Sequence, residues 1–292
     1  MISAKVIADS KNEFGNRLTT MIVTMPRIIL AEFNTHRMFS RNSASSRAIP
    51  FNKMVESVIA NPFIPIAWQK DHKGMQGIEY LDNTSLGKIF DYQLTDFVPA
   101  TLSDMWRRAK DDAVNTAIQL NKAGVTKQLC NRLLEPFMWV DVVATATRQA
   151  WVHYFAQRCA HDAQPEHQHL AKMIARAYMD SVPRQLDLWD WHTPYIAEEE
   201  LSTMPMSNRM ACSVVRVRRV SWKPFDGKPE TMEAAWAKHD ESRDAGHWSC
   251  FEHQGQAVDD PSIRSGRMRG FLEYRQMLPV SVHTDFDFTT LD

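Results

Sequence analysis

Two apolar, β-branched runs, "LTTMIVTM" at residues 18–25 and "FMWVDVVATAT" at 137–147, each lead directly into a helical pattern. That alternation of strand and helix constrains the fold most. Pro26 cannot donate to a sheet ladder, so the first run reads as a strand to Met25 followed by a short helix or turn. The second leads into a helix around "RQAWVHYFAQR". Between them, "TLSDMWRRAKDDAVNTAIQLNKAG" places Met105, Trp106, Ala109, Ala113, Ala117, Ile118 and Leu120 at helical spacing, with Thr101 or Ser103 to cap it and Gly124 to end it. "TKQLCNRLLEP" predicts a short helix capped by Thr126 and stopped by Pro136. "QPEHQHLAKMIARAYMDSVP" predicts an amphipathic helix with Pro165 in its first turn. Further on, "SVVRVRRVSW" (213–222) alternates enough to predict a strand, with a helix as the alternative. "GKPETMEAAWAKHDESRDAG" predicts a helix ending near Gly246, and "HWSCFEHQGQAV" a turn running into a strand.

There is no repeat and no clean linker. The expectation is one α+β domain over residues 1–292, with a mixed or antiparallel sheet packed against helices. Residues 50–100, rich in Pro, Gly, Asn and Asp, read as an irregular surface insertion.

Composition narrows the function classes. Hydrophobic residues are 44% and charged residues 24%, which is globular, and the formal net charge is -1. Anion binding must therefore come from local clusters of Arg and His, and a general nucleic-acid binder is disfavoured. Cys130, Cys159, Cys212 and Cys250 form no CxxC pair, which argues against a zinc knuckle or a disulfide framework and fits a reducing cytoplasm. No apolar run approaches the ~20 residues of a membrane span. The opening "MISAKVIADSKNEFGNR" has no signal-peptide core, so a cytoplasmic location is expected.

Three polar clusters stand out. "FNTHRMFSRNSASSRAIP" (33–50) gathers His36, Arg37, Ser40, Arg41, Asn42, Ser43, Ser45, Ser46 and Arg47. Guanidinium groups, hydroxyls and a helix end make a phosphate site, while the plainer alternative is a solvated loop. "YFAQRCAHDAQPEHQH" (154–169) holds Arg158, His161, Asp162, Gln164, Glu166, His167 and His169. His161 precedes the helix, and His167 and His169 sit two apart on different faces, which argues against a metal site. A helix entry facing a ligand, or a solvated face, remains. "AGHWSCFEHQGQA" sets His247, Glu252 and His253 at the end of a strand, or else forms a helix cap and loop with Phe251 in the core.

Taken together the clusters resemble one family. "THRMFSRNSASSR" is similar to the signature of the flavin-dependent thymidylate synthases, R-H-R-x-x-S-x-N-x-x-S-x-R, matching at His36, Arg37, Ser40, Asn42, Ser45 and Arg47. Thr35 stands where the first arginine is expected. "AGVTKQLCNRLLEP" resembles a family segment whose arginine, here Arg132, contacts the nucleotide. "AQRCAHDAQPEH" aligns Arg158 with an arginine at the pyrimidine. "GHWSCFEH" resembles G-H-x-S/T-P-F-E-H, bringing in His247 and Glu252, and "SVVRVRRVSW" resembles A-x-R-V-S-F, bringing in Ser221. In the family these last two elements precede the signature. Here they follow it, which is the order of a circular permutation.

The resemblance implies an enzyme that binds FAD and makes thymidylate from deoxyuridylate, using methylenetetrahydrofolate and NADPH as co-substrates. It assigns His36, Arg37, Asn42, Ser221, His247 and Glu252 to the cofactor. Ser45, Arg47, Arg132 and Arg158 go to the substrate, and Ser45 and Arg158 are the catalytic candidates. No metal is expected. A homotetramer with sites shared between subunits is implied, binding a deoxypyrimidine nucleotide and folate, with neither membrane nor nucleic acid as partner. Ser43, Ala48 and Cys250 also depart from the pattern, where the family often has Glu, an aromatic and Pro. Deoxycytidylate as substrate, or a hydroxymethyl product, stays open. The competing classes are a non-catalytic nucleotide- or nucleic-acid-binding module and a His/Glu metal hydrolase.

Overall fold

The computed structural model describes residues 1–74, 77–84, 86–91 and 93–279. β1 (Ser3–Lys11) and β2 (Arg17–Pro26) form an antiparallel hairpin. As its proline requires, β2 ends at Pro26, and a 3-10 turn (Arg27–Ile29) passes into α1 (Leu30–Asn34). β3 (Ser40–Ser43) follows, then α2 (Phe51–Ala60). Two short antiparallel pairs come next, β4 (Trp68–Gln69) with β5 (Tyr80–Leu81), and β6 (Leu86–Asp91) with β7 (Asp96–Thr101).

α3 (Leu102–Lys122) begins in a capping box. The Thr101 hydroxyl accepts from the Asp104 N–H while the Asp104 carboxylate accepts from the Thr101 N–H. Gly124, at φ +88°, ends it in the left-handed conformation that glycine adopts without strain. Thr126 caps α4 (Lys127–Cys130), but Pro136 does not stop that helix. It lies inside a 3-10 segment (Asn131–Phe137) that carries the chain to β8 (Trp139–Thr147).

β8 runs straight into α5 (Arg148–Arg158), and Pro165 opens α6 (Pro165–Asp180). β9 (Arg184–Gln185), β10 (Trp191–His192), α7 (Glu198–Thr203) and α8 (Met206–Arg218) lead to α9 (Met232–Asp244), which is followed by Gly246. The last elements are β11 (Gly255–Ala257), β12 (Arg264–Ser265), β13 (Met268–Arg269), β14 (Phe271–Glu273) and α10 (Tyr274–Met277).

The main sheet has the order β3-β8-β2-β1-β9, antiparallel except for the β1/β9 pair, so the protein is α+β with a mixed sheet. The β2/β8 register puts Met21 opposite Ala144, Val23 opposite Val142 and Met25 opposite Val140. This face packs on Trp151 and Tyr154 of α5, Leu170 and Ile174 of α6, and Phe33 and Phe39. The opposite face presents Ile22 and Val143 to Val214, Val217, Val220 and Phe251. Covering on both faces explains the nearly continuous apolar run of β8.

Two further expectations change. Residues 213–218, read as a strand, belong to α8, and 219–221 form a 3-10 turn. Val214 and Val217 face the sheet while Ala211 and Cys212 pack in a separate cluster with Ile196 and Ala235. A helix buried nearly all round has no polar stripe, and its Val/Arg alternation imitates a strand. Residues 51–60 are not irregular either. In α2, Met54, Val55 and Val58 pack against Val114, Ala117, Leu134 and Phe137. No helix among the described residues is long and apolar enough to cross a membrane.

Candidate functional site

The loop after α1 is pinned to α5 by aromatic packing. His36 meets the Tyr154 ring edge-on at 4.8 Å and stacks near Phe39, which contacts Trp151 at 4.4 Å between ring centroids. A cleft of about 730 Å³ opens between this loop and α5, lined by Thr35, His36, Arg37, Gln149, His153 and Arg269 among others. Past Gln149, Val152 and Arg269 it adjoins a second cleft of about 660 Å³, where Arg17, Thr147, Arg148 and Arg264 lie. Among the described residues no Asp or Glu lines either cleft. Arg17 is already paired with Asp9 at 2.6 Å, so the unanswered charge comes from Arg37, Arg148, Arg264 and Arg269.

The start of α5 faces the second cleft. Its N-cap, Thr147, makes no side-chain capping bond, and the buried Thr147 hydroxyl has no hydrogen-bond partner among the described residues. An uncapped helix N-terminus ringed by arginines suits phosphate groups.

Arg158 ends α5. Its Nε–H donates to His36 Nε2 at 3.0 Å, and its Nη2 donates to Thr35 Oγ1 at 3.3 Å. Burial, then the neighbouring Arg158, His153 and Arg41, lower the His36 pKa to about 4, so its ring is a neutral acceptor at neutral pH. Deeper in, burial pushes His167 down to about 3, and neither its ring nitrogens nor the Tyr154 hydroxyl has a protein partner. His161 and His169 are exposed while His167 is buried, so the second cluster does not converge. Among the described residues no three His, Cys, Asp or Glu side chains are grouped to hold a metal ion. Glu166 holds the chain locally, accepting from the Ile66 N–H at 3.0 Å.

Asn42 joins a buried chain that crosses the sheet. His253 Nε2 lies 3.2 Å from the Asn42 amide and His253 Nδ1 2.8 Å from Thr145 Oγ1. Thr145 Oγ1 is 2.6 Å from Thr20 Oγ1, and Thr20 Oγ1 is 2.7 Å from His192 Nε2. His192 Nδ1 reaches Ser10 Oγ at 2.9 Å. Each member bonds a neighbour, so the polar groups are satisfied at low exposure. Turning the Asn42 amide over also gives it the Ser249 carbonyl at 2.9 Å.

Burial lowers both His192 and His253 to about 3. An unfolded histidine titrates near 6.5, so below that pH the unfolded chain takes up protons that the folded chain refuses. Stability is complete above about pH 6.5 and falls toward acid, by about 2 kcal/mol for each of these histidines between pH 7 and pH 5. Urea unfolding across that range measures the loss. A flat profile contradicts neutral burial of the pair.

The other expected site residues are placed as follows. The Ser45 N–H donates to the Ser221 carbonyl at 2.9 Å, so those two meet. Arg47 is exposed on the same turn. Arg132 is exposed on a separate groove of about 450 Å³ with Arg27, Asn34 and Glu135. Glu252 pairs with Arg267, and the Arg267 Nε–H donates to the Arg37 carbonyl at 3.2 Å, which ties the third cluster to the first. His247 is exposed, its carbonyl accepting from the Cys250 thiol at 3.2 Å. Burial raises that thiol to about 12, so Cys250 is an inert core residue. All four cysteines are unpaired.

Sequence reasoning passed over Arg264, Arg267 and Arg269, although three arginines in six residues is a visible signal. It also passed over Arg148, Gln149 and His153, which one face of α5 presents to the clefts.

The fold and the clefts define a class: an α+β protein with a mixed sheet and two adjoining arginine-lined clefts beside α5. A family model described as thymidylate synthase complementing protein matches residues 16–184, more than half of the chain. The chain belongs to that family, the flavin-dependent thymidylate synthases. The match includes the signature at 35–47, Arg132 and Arg158, and excludes Ser221, His247 and Glu252. Among curated proteins, none matches.

Proposed function

We propose that this chain methylates a deoxypyrimidine monophosphate, foremost deoxyuridylate to thymidylate, with FAD in the joined clefts and methylenetetrahydrofolate and NADPH as co-substrates. The observation that carries the reading is the arginine-lined cleft, without Asp or Glu among the described residues, formed in part by the signature loop and α5 of a chain in this family. Bound FAD supplies the redox chemistry. Arg37, Arg148, Arg264 and Arg269 would answer its phosphates together with the first N–H groups of α5, while Gln149 and His153 line the same cleft. The orphan Thr147 hydroxyl is a fitting contact for such a group.

Arg158 holds a guanidinium beside the pyrimidine and draws electron density toward the ring carbonyl, which makes the adjoining ring carbons reactive. Ser45 and Arg47 take the phosphate end of the nucleotide. Arg132 lies on a different groove from Arg158's partners Thr35 and His36. That separation supports sites shared between subunits, one subunit's groove completing another's site, as in the homotetramer that the resemblance implies. Contact of Ser45 with Ser221, and of Asn42 with His253, supports the permuted order, since elements after the signature pack back onto it.

The test is tritium release from C5 of deoxyuridylate and of deoxycytidylate, with product mass and the flavin absorbance of the purified protein. Release from deoxyuridylate, a product heavier by one CH₂ and a yellow protein are expected. Release from deoxycytidylate alone moves the substrate assignment. A colourless protein that FAD does not reconstitute sinks the reading and favours a binding module.

A further inference from the structure

We infer that Thr35 and His36 are positioning residues, which orient the Arg158 guanidinium through two uncharged acceptors and so leave its positive charge undiminished for the pyrimidine. The inference rests on the reading of Arg158 given above. It turns the missing arginine of the signature into a functional feature: at position 35 this chain has replaced a cation with an acceptor.

A guanidinium offers five N–H donors in a fixed plane. Two are taken here, Nε–H by His36 Nε2 at 3.0 Å and one Nη2 N–H by Thr35 Oγ1 at 3.3 Å. The Thr35 hydroxyl spends its own proton on the Glu32 carbonyl at 2.6 Å, which aims an oxygen lone pair at Arg158. His36 is fixed by Phe39 and Tyr154, so its nitrogen cannot follow the arginine if the arginine moves. The clamp therefore grips one edge of the guanidinium, and Nη1 with the second Nη2 N–H remains for a ligand.

The charge logic is as specific as the geometry. Several arginines elsewhere in this chain are oriented by carboxylates, Arg17 by Asp9, Arg216 by Glu200 and Glu230, and Arg267 by Glu252, while Arg41 and Arg184 donate to backbone carbonyls. No carboxylate pairs with Arg158 among the described residues. A carboxylate clamp would cancel most of the field that the guanidinium exerts on a carbonyl. Arginine at position 35 would place a like charge against it instead. Threonine and a neutral imidazole orient without doing either.

Thr35 is exposed, so its substitution tests the clamp without disturbing the core. Thr35→Val keeps the shape and removes the acceptor, and Thr35→Ser keeps the acceptor. Turnover of deoxyuridylate is compared for these variants and Arg158→Ala, with flavin content read by absorbance. Thr35→Val is expected to lower kcat about tenfold, the order of one hydrogen bond to a charged group, with KM and flavin content within about twofold of the parent. Thr35→Ser is expected to restore kcat to within about twofold. If Thr35→Val turns over like the parent while Arg158→Ala does not, or if Val and Ser variants fall equally, the clamp is wrong. If Arg158→Ala itself stays active, the underlying reading of Arg158 is wrong.

Discussion

Arg158→Ala is expected to cut turnover of the pyrimidine nucleotide by about 10³-fold, the cost of losing a preorganised charged donor at a reacting carbonyl, while flavin stays bound. The two halves of that expectation have separate origins. The arginines that line the clefts are Arg17, Arg37, Arg148, Arg264 and Arg269, and none of them bonds to Arg158. Phosphate binding is therefore untouched by the substitution. The residues that do touch Arg158 are Thr35 and His36, and truncation leaves the buried His36 Nε2 without its donor.

The ring itself stays in place because Phe39 and Tyr154 hold it, so the loop keeps its shape. Removing a neighbouring cation also lifts one of the causes that keeps His36 low, and its pKa rises toward the ordinary histidine value. Initial rates of tritium release, with the absorbance of the protein as purified, read both halves at once. Loss of flavin from this variant contradicts the assignment of Arg158 to the substrate, because it places the arginine against the cofactor.

What the sequence made legible was whatever is encoded within a few residues. β2 ends at its proline, α3 begins at Thr101 and closes before Gly124, and α6 opens on Pro165, each set by local chemistry. The strand-to-helix step from β8 to α5 was legible for the same reason, and with it the α+β class. α8 was not, because its environment rather than its spacing decides it. Its valines face a sheet on one side and its Arg216 meets carboxylates on the other, so no solvent stripe marks the helical period.

The site divides along the same line. Residues 35–47 and the stretch around Arg158 carry patterns of fixed spacing, which a local reading finds. The partnership of Arg158 with Thr35 and His36 spans more than 120 residues and depends on how α5 lies across the loop. The contribution of Arg264 and Arg269 depends on where the β12/β13 hairpin is delivered. The buried chain from Ser10 to Asn42 links five strands or their ends through pairings 108 to 211 residues apart. Such contacts follow from sheet register, and no local period announces them.

Arg216→Ala is expected to destabilise the fold by about 3–5 kcal/mol, the cost of removing one partner from a buried ionic cluster. Arg216 is 1% exposed and all three guanidinium nitrogens are used. Nη1 donates to Glu200 at 2.6 Å and to the Tyr195 carbonyl at 2.8 Å, Nη2 donates to Glu200 at 2.7 Å, and Nε donates to Glu230 at 3.0 Å. The guanidinium also lies over the Phe225 ring, 4.7 Å from its centroid. Its bond to Glu200 holds that carboxylate below its usual range, so the pair is ionised in the folded chain. Truncation leaves Glu200 and Glu230 facing each other with no cation between them, and leaves the Tyr195 carbonyl unpaired at a residue already held at φ +64°. The damage reaches the candidate site through α8, because Val214, Val217 and Val220 on and after that helix support Phe251, next to Glu252 and His253. Urea unfolding at neutral pH measures the loss. Arg216→Met, which fills the volume but not the charge, leaves the same two carboxylates unanswered and is expected to recover only the packing share. Recovery of full stability by methionine would mean that the cluster holds the helix by shape rather than by charge.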